Sequence, residues 1–254
     1  NKLSSPQGIK IESVKGLRGN FYDVNGNNLT QNLTFYRIGI HAKKISNNED
    51  LLNELSECTG TNKEVYLSKI KSIKEYIELE KKTNKNCEQL QKKYPNALII
   101  KKSFKRYYPE DNLVSQIVGF TNIDDKGISG LESKYNRFLE PISGSKLSKR
   151  NGLGIKISDP TLPSKEAQDG ANITLTINKE YQAILRDELI LQMEKVGANA
   201  SMGLILNPQT GAILSMVNLP DYNPNFPNDF ETEFQKNKIV TDLIEPWSTF
   251  KIVT

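Results

Sequence analysis

The sequence is poor in the residues that most often cross-link a chain or carry out acid–base chemistry. Its 254 residues include one histidine, one tryptophan and two cysteines. The cysteines, Cys58 and Cys87, have neither the spacing of a metal site nor that of a CxxC pair, so they either form one disulfide in an oxidising compartment or remain two unrelated thiols. The histidine, His41, lies in a predicted strand far along the chain from any candidate nucleophile. A Ser-His-Asp triad is therefore not expected.

Long apolar runs and a strong net charge are also lacking. No run approaches the roughly 18 apolar residues that cross a bilayer, and no signal-peptide pattern is present. Because the chain begins with Asn1 rather than Met, this does not exclude a membrane anchor upstream. The formal net charge is +4, from 34 basic and 30 acidic residues. The lysines are spread among glutamates rather than clustered with aromatics, so no nucleic-acid partner is expected.

The first part of the chain predicts strands with inserted helices. Asn25-Gly26 is a strong hairpin signal, and a strand is predicted over residues 33–42. Helices are predicted over 49–58, ended by Gly60, and over Lys63–Lys82, where Val65, Ile70, Ile73 and Ile77 recur at helical spacing. The remaining elements predicted here are a short helix around Leu90, a strand over 96–108 and a helix over Leu131–Leu139.

The second part predicts the start of a sheet domain. Pro160, Pro163 and Gly170 mark a linker. Asn178 can cap a helix that runs to about Val196, with an apolar face of Ile184, Leu185, Leu189 and Met193. Two apolar strands, SMGLIL and AILSMV, are joined by the turn NPQTG and predict a hairpin.

Ser248 and Lys251 are the candidates for chemistry. A serine hydroxyl becomes a good nucleophile only when a base accepts its proton. A lysine can be that base if burial and nearby positive charge lower its pKa. If a helix begins near Ser248, the three-residue spacing brings both side chains to one face, where the helix N-terminus favours a developing anion.

The SxxK spacing is common by itself. It also occurs at Ser68–Lys71, within a predicted solvated helix, and at Ser143–Lys146, in a glycine-containing loop. The spacing alone therefore leaves open whether Ser248 and Lys251 are catalytic or a chance pairing.

The residues around Ser248 narrow this choice. TDLIEPWSTFKIVT resembles the acylation-site segment of the class B penicillin-binding proteins, where SxN and KTG elements follow the Ser-Lys pair. Other segments resemble motifs of that family, in the same order, from about Leu17 to Thr254. They are RGNFYDVNGNNL, KRYYP, IVGFTN, GISGLESKYNRFL and LILNPQTGAILSMVNLPDYNPN. The division-type members, which make septal peptidoglycan, are the nearest fit.

The resemblance implies an α+β fold in two domains. Residues 1–165 would form the dimerisation or pedestal domain, built of strands with inserted helices. Residues 166–254 would begin a transpeptidase domain of the penicillin-binding-protein and serine β-lactamase type.

The resemblance also implies a serine D,D-transpeptidase that cross-links peptidoglycan stem peptides. Ser248 would attack the penultimate D-Ala carbonyl, release the terminal D-Ala and form an acyl-enzyme that an amine of a neighbouring strand resolves. Lys251 would accept the serine proton, and β-lactams would trap Ser248. No metal or organic cofactor is implied. Implied partners are a SEDS-family glycosyltransferase and other division proteins. The implied location is the inner membrane, through an anchor upstream of residue 1, with the domains facing the periplasm.

Three departures from the family pattern bear on this interpretation. Val24 stands where the family usually carries arginine, and Trp247 where glycine precedes the serine, so the indole could crowd the site. Neither SxN nor KTG follows Ser248 before Thr254, so we expect the chain as given to be inactive by itself. The alternative function is a non-catalytic pedestal that binds partners in the division or elongation machinery.

Overall fold

The computed structural model describes residues 9–41, 49–70, 76–150, 156–157, 164–243, 245 and 251. Its strands are β1 (Ile9–Val14), β2 (Phe21–Tyr22), β3 (Gln31–His41), β4 (Tyr76–Thr83), β5 (Leu98–Tyr107), β6 (Gly144–Arg150), β7 (Lys156–Ile157), β8 (Ser164–Lys165), β9 (Ile173–Thr174), β10 (Ser201–Leu206) and β11 (Ile213–Leu219). Its α-helices are α1 (Glu49–Thr59), α2 (Lys63–Ile70), α3 (Glu88–Lys93), α4 (Ser115–Val118), α5 (Gly130–Lys134), α6 (Asn136–Leu139), α7 (Lys179–Val196) and α8 (Lys238–Thr241). This mixture confirms the predicted α+β class.

The chain folds into two compact units, each built from separate stretches of sequence. The first unit combines Asn1–Leu17, Asn32–Lys105 and Pro141–Asp169. The second combines Arg18–Gln31, Arg106–Glu140 and Gly170–Thr254. The predicted domains are two continuous ranges that meet at residue 165, whereas each compact unit is discontinuous in sequence, so the domain boundary stays a prediction.

In the first unit, a three-stranded sheet of order β4-β3-β5 carries helices α1, α2 and α3. Helix α1 buries Leu51, Leu52 and Leu55 at the spacing of one helical face. These side chains pack with the sheet residues Ile38, Ile40, Ile77, Leu79 and Leu98 in one core cluster. The predicted strands at β3 and β5 and the predicted helices at α1 and α3 are confirmed.

The predicted helix over Lys63–Lys82 is wrong in its second half. Helix α2 ends at Ile70, and β4 pairs antiparallel with β3. In β4, Ile77 and Leu79 are buried while the residues between and after them are more exposed, which is the period of two expected of a strand. The helical spacing that includes Ile77 predicted the wrong structure, because pairing with β3 places Ile77 and Leu79 in a β-sheet.

A disulfide joins Cys58 of α1 to Cys87, the residue just before α3, with their Cα atoms 6.1 Å apart. Cys87 belongs to the first unit's core and Cys58 packs against it. The alternative of two unrelated thiols, open from the sequence, is thereby excluded in this structure. The cross-link ties the two helices on the same sheet together.

A second sheet in the first unit pairs β1 with β6 antiparallel along the whole of β1, and β7 and β8 also pair with β6. Of the predicted linker residues, Pro160 and Pro163 lie outside the described part of the chain. Gly170 lies against the backbone of Leu139, where any Cβ would clash, so it is closely packed rather than loosely exposed.

The second unit has its own core around β2, which pairs in parallel with β9. Phe21, Leu29, Val118 and Leu139 are completely buried there, with partly buried side chains of the β9 region around them. The helix predicted over Leu131–Leu139 occurs as two short helices, α5 and α6. The Asn25-Gly26 turn is also present. The Asp23 N–H donates to the Asn27 carbonyl, the Gly26 N–H donates to the Asp23 carbonyl, and Gly26 has φ +84°.

The helix that begins after Asn178 and the hairpin that follows it are confirmed in the second unit. Helix α7 packs on the antiparallel hairpin of β10 and β11. Leu185 and Leu189 lie against Gly203, where a larger side chain would crowd them. Ile184 is 61% exposed, so its prediction as part of the packed face is wrong. It lies one residue before Leu185, which turns it about 100° away from the hairpin.

Candidate acylation site and its supporting residues

The two predicted site residues fall at the limit of what the structure describes. Ser248 and its neighbour Trp247 lie outside the described residues, and Lys251 is described as exposed. Their juxtaposition therefore stays a prediction. The structure does describe Asn218–Thr241, the stretch that leads towards Ser248, which we call the approach segment.

Gln182 fixes the hairpin from which the approach segment leaves. Its side chain is buried in α7, and its amide oxygen accepts hydrogen bonds from the Ser215 hydroxyl (2.9 Å) and the Met216 backbone N–H (2.8 Å). Its amide nitrogen donates to the carbonyls of Met216 (2.7 Å) and Leu113 (2.9 Å). All four hydrogen-bonding positions of this amide are used, so a buried polar group is fully satisfied and α7 is held at one register on β11.

The next stretch is a loop in which Asn225 forms a reciprocal pair with the backbone of Tyr108. The Asn225 amide oxygen accepts from the Tyr108 N–H at 3.0 Å, and its nitrogen donates to the Tyr108 carbonyl at 2.9 Å. Asn223 and Asn225 both donate to Asp111 at 3.0 Å. Asp111 has φ +44°, an uncommon conformation for a residue other than glycine, and these contacts hold it there.

Asp221 and Tyr222 tie the start of this loop to other parts of the second unit. Asp221 accepts from Asn112 at 2.9 Å and pairs with Arg186 of α7 at 2.6 Å. Tyr222 is completely buried, and burial raises its pKa to about 12. Its phenol is therefore neutral at physiological pH and donates to the Ser115 carbonyl at 3.0 Å.

Two amides then act on the approach segment itself. Gln116 donates to the carbonyls of Asn218 and Pro220, both at 3.3 Å, and of Phe234 at 3.0 Å. Asn218 accepts from the Ile239 N–H in the first turn of α8 at 3.0 Å. The approach segment is thus fixed near both of its ends.

A buried network of charges supports the residues that contact the approach segment. Glu132 is completely buried, and its two oxygens accept from Arg106 (2.6 Å) and Arg18 (2.8 Å). Arg18 also donates to Asn136 and to the backbone of residue 125. The phenol of Tyr108 lies 3.5 Å from the same carboxylate. Two arginines on one carboxylate therefore join three stretches of the second unit that are distant in sequence.

Sequence reasoning identified the segments that carry these residues but not their pairings. Arg18, Glu132 and Asn225 each lie in a stretch that resembles a family motif, whereas Gln116 and Gln182 were not singled out. A glutamine in a helix is usually exposed to solvent, so the burial of Gln116 and Gln182 became evident only in the structure. The nearest available signal was that these glutamines stand beside apolar residues.

Neither a metal centre nor a membrane span is found in the described part of the chain. Its His, Cys, Asp and Glu side chains form no group of three or more that could hold a metal ion. No helix within the described ranges has the length and apolar character needed to cross a bilayer.

Comparisons with known families and proteins agree with the order of motifs. The family described as "Penicillin-binding Protein dimerisation domain" matches residues 13–175, and "Penicillin binding protein transpeptidase domain" matches residues 202–254. Peptidoglycan D,D-transpeptidase FtsI of Buchnera aphidicola is 31% identical over 253 residues, which are 96% of this chain and 44% of that protein. The protein of the same name from Escherichia coli K12 is 31% identical over 152 residues, 60% of this chain and 26% of its own.

Solved structures show the same fold. A peptidoglycan synthetase from Bifidobacterium adolescentis aligns with a TM-score of 0.72 at 19% identity, covering 96% of this chain and 50% of its own. Penicillin Binding Protein 2X from Streptococcus thermophilus aligns with a TM-score of 0.65 at 22% identity, covering 85% and 36% respectively. The chain spans less than half the length of the curated relatives described above.

Proposed function

Since the chain belongs to the class B penicillin-binding proteins, with a dimerisation domain followed by transpeptidase sequence, we propose that its protein is a serine-type peptidoglycan D,D-transpeptidase. The observation that carries this proposal is the transpeptidase match over residues 202–254, which includes Ser248 and Lys251. The names of the relatives support the same activity. We place its role in septal cell-wall synthesis during cell division.

The proposed reaction has two steps. Lys251 accepts the Ser248 proton as the serine oxygen attacks the penultimate D-Ala carbonyl of a stem peptide, and the terminal D-Ala leaves with a proton on its amine. An amine of a second stem peptide then attacks the acyl-enzyme ester, forming the cross-link and freeing Ser248. A β-lactam acylates Ser248 by opening its ring, so no leaving group departs and the enzyme stays blocked.

The proposed location is the periplasmic face of the inner membrane, through an anchor upstream of residue 1. The Cys58–Cys87 disulfide supports an oxidising compartment, because such bonds are rare in the reducing cytosol. Proposed partners are peptidoglycan stem peptides and, by family, a SEDS-type glycosyltransferase and other division proteins.

Covalent labelling by a fluorescent penicillin tests the enzyme function. The protein at the full length of its relatives should take up one label, and Ser248→Ala should abolish it because no acyl-enzyme can form. Ser143→Ala is the matched control, since Ser143 begins another SxxK pattern, and it should label like wild type. Persistent labelling of Ser248→Ala would refute Ser248 as the nucleophile, whereas an unlabelled wild-type protein would favour the non-catalytic pedestal.

A further inference from the structure

A cleft in the second unit lies between the first half of α7 and the residues that follow Pro109. Its volume is about 310 Å³, which is at the small end of the range for ligand sites. We call it the Arg186 cleft. It is lined by Glu110, Asp111, Asn112, Leu113 and Arg186. All of these residues belong to the second unit, and they are separate in sequence from Ser248 and Lys251.

Arg186 gives the cleft a cationic side with unused hydrogen-bond donors. Its Nε donates to one oxygen of Asp221 at 2.6 Å, and the other Asp221 oxygen accepts from Asn112 at 2.9 Å. In the described part of the chain, neither terminal nitrogen of Arg186 has a hydrogen-bond partner. The guanidinium is therefore fixed through its Nε, while its two terminal nitrogens are available to bind a carboxylate.

Glu110 and Asp111 give the cleft an anionic side. One Asp111 oxygen accepts from the neutral amides of Asn223 and Asn225, both at 3.0 Å, and no described residue donates to the second oxygen. Glu110 pairs with Lys179 through one oxygen at 2.7 Å, and its second oxygen likewise has no donor among the described residues. Two carboxylate oxygens are therefore available to accept from an ammonium group.

We infer that the Arg186 cleft binds a small zwitterionic α-amino acid. Such a molecule carries a carboxylate, an ammonium group and a side chain. The cleft has a counterpart for each of them, namely the Arg186 guanidinium, the carboxylates of Glu110 and Asp111, and the apolar Leu113 for a short alkyl side chain. A simple anion or a simple cation would engage only one of the two charged sides.

D-alanine is the first probe, because the proposed reaction releases it. The choice of this probe rests on the proposed function, whereas the site itself does not. The test is a ligand-observed NMR titration of full-length protein with D-alanine and with L-alanine. Propionate, which lacks the ammonium group, and ethylamine, which lacks the carboxylate, are titrated in parallel. At least one enantiomer of alanine should bind saturably, and propionate and ethylamine should bind at least about tenfold more weakly.

Two conservative variants link this binding to the cleft. Asp111→Asn keeps an oxygen that can accept from Asn223 and Asn225 but removes the charge, and asparagine tolerates the φ of +44° at this position. Arg186→Lys keeps a cation beside Asp221 but loses the two parallel terminal donors. Each variant should weaken alanine binding about tenfold or more, because one charged side of the cleft is lost.

Asp124→Asn, in an exposed turn, and Arg137→Lys, at an exposed position of α6, are the matched controls and should bind alanine like wild type. If one cleft variant does not fold, the other decides the question. Treatment with penicillin should leave the binding unchanged, since the cleft does not include Ser248.

Three results would each overturn this inference. The first is a wild type that binds neither enantiomer, and the second is wild-type affinity in both cleft variants. The third is alanine binding that penicillin abolishes, because it would place the amino acid in the acylation site. None of these results would contradict the proposed function, which is tested separately by the labelling of Ser248.

Discussion

Asp23 organises the turn that follows β2. One of its oxygens accepts from the N–H groups of Asn25 (2.9 Å) and Asn27 (2.8 Å), and the other from the Asn27 side chain (3.0 Å) and the Lys179 N–H (3.3 Å). Burial alone would raise the pKa of Asp23, but these hydrogen bonds outweigh it and hold the pKa below its ordinary value. The carboxylate thus joins the Asn25-Gly26 turn to the start of α7.

Asp23→Asn should destabilise the second unit at neutral pH. It should also make the stability of that unit less dependent on pH in the acidic range. A carboxylate with a lowered folded pKa adds stability that is present in full above its unfolded pKa of about 3.9 and is lost as pH falls through the folded value. The amide that replaces the carboxylate would also present N–H groups to the donors of Asn27 and Lys179, costing about 1–3 kcal/mol. The measurement is the urea midpoint between pH 7 and 2.

Asp124→Asn, at an exposed position in another turn, is the matched control for Asp23→Asn. The gap in urea midpoint between wild type and Asp23→Asn should narrow as pH falls below about 4. A gap that stayed constant over this range would show that the Asp23 charge contributes nothing to stability.

At the scale of the element, α7 is the helix whose start and end follow most directly from local sequence. Asn178 accepts from the N–H groups of Glu180 (2.9 Å) and Tyr181 (3.2 Å), and Gly197 ends the helix with φ +68°. Both are the residues that helix ends favour, because asparagine satisfies free N–H groups and glycine adopts positive φ without strain.

Asn178→Ala should lower the free energy of unfolding by about 1 kcal/mol, because the free N–H groups of the first turn lose their acceptor. Asn178→Asp should keep most of the stability, because a carboxylate accepts the same hydrogen bonds and interacts well with the helix N-terminus. Urea unfolding gives the free energies, and amide hydrogen exchange shows whether the loss begins in the first turn of α7. Equal protection there in Asn178→Ala and wild type would refute the cap.

At the scale of the whole molecule, each unit has a separate core, and the disulfide belongs to one of them. Cys58 and Cys87 are separated by 29 residues and both pack in the first unit's core. Closing a loop of that size is expected to stabilise the fold by roughly 3–4 kcal/mol in the chain-entropy account. Within its described residues, the second unit has no disulfide and is held together by non-covalent contacts.

Reduction should therefore weaken the first unit selectively. With dithiothreitol, amide exchange in α1 and α3 should accelerate, while exchange in α7, which belongs to the second unit, should not change. The Cys58→Ala/Cys87→Ala double variant should exchange fast in α1 and α3 with or without reductant. If reductant accelerated amide exchange in α7 to the same extent, the disulfide would not stabilise the first unit selectively.

Local sequence predicted much of the fold because many elements depend on near neighbours. The turn at Asn25-Gly26, the cap at Asn178 and the hairpin around NPQTG involve residues only a few positions apart. The error at Lys63–Lys82 has the opposite origin, because Ile77 and Leu79 are explained by pairing with β3, which lies earlier in the chain. The exposure of Ile184 likewise depends on which side of α7 the hairpin covers.

The sequence by itself determined the family, the α+β class and the candidate pair Ser248 and Lys251, since motifs and their order are properties of the chain. Only the tertiary structure decided that Cys58 and Cys87 pair, that Glu132 lies between Arg18 and Arg106, and that Gln116 holds the approach segment. Each of these contacts joins residues far apart in sequence. Spacing along the chain carries no information about them, because it is packing around the two cores that brings the partners together.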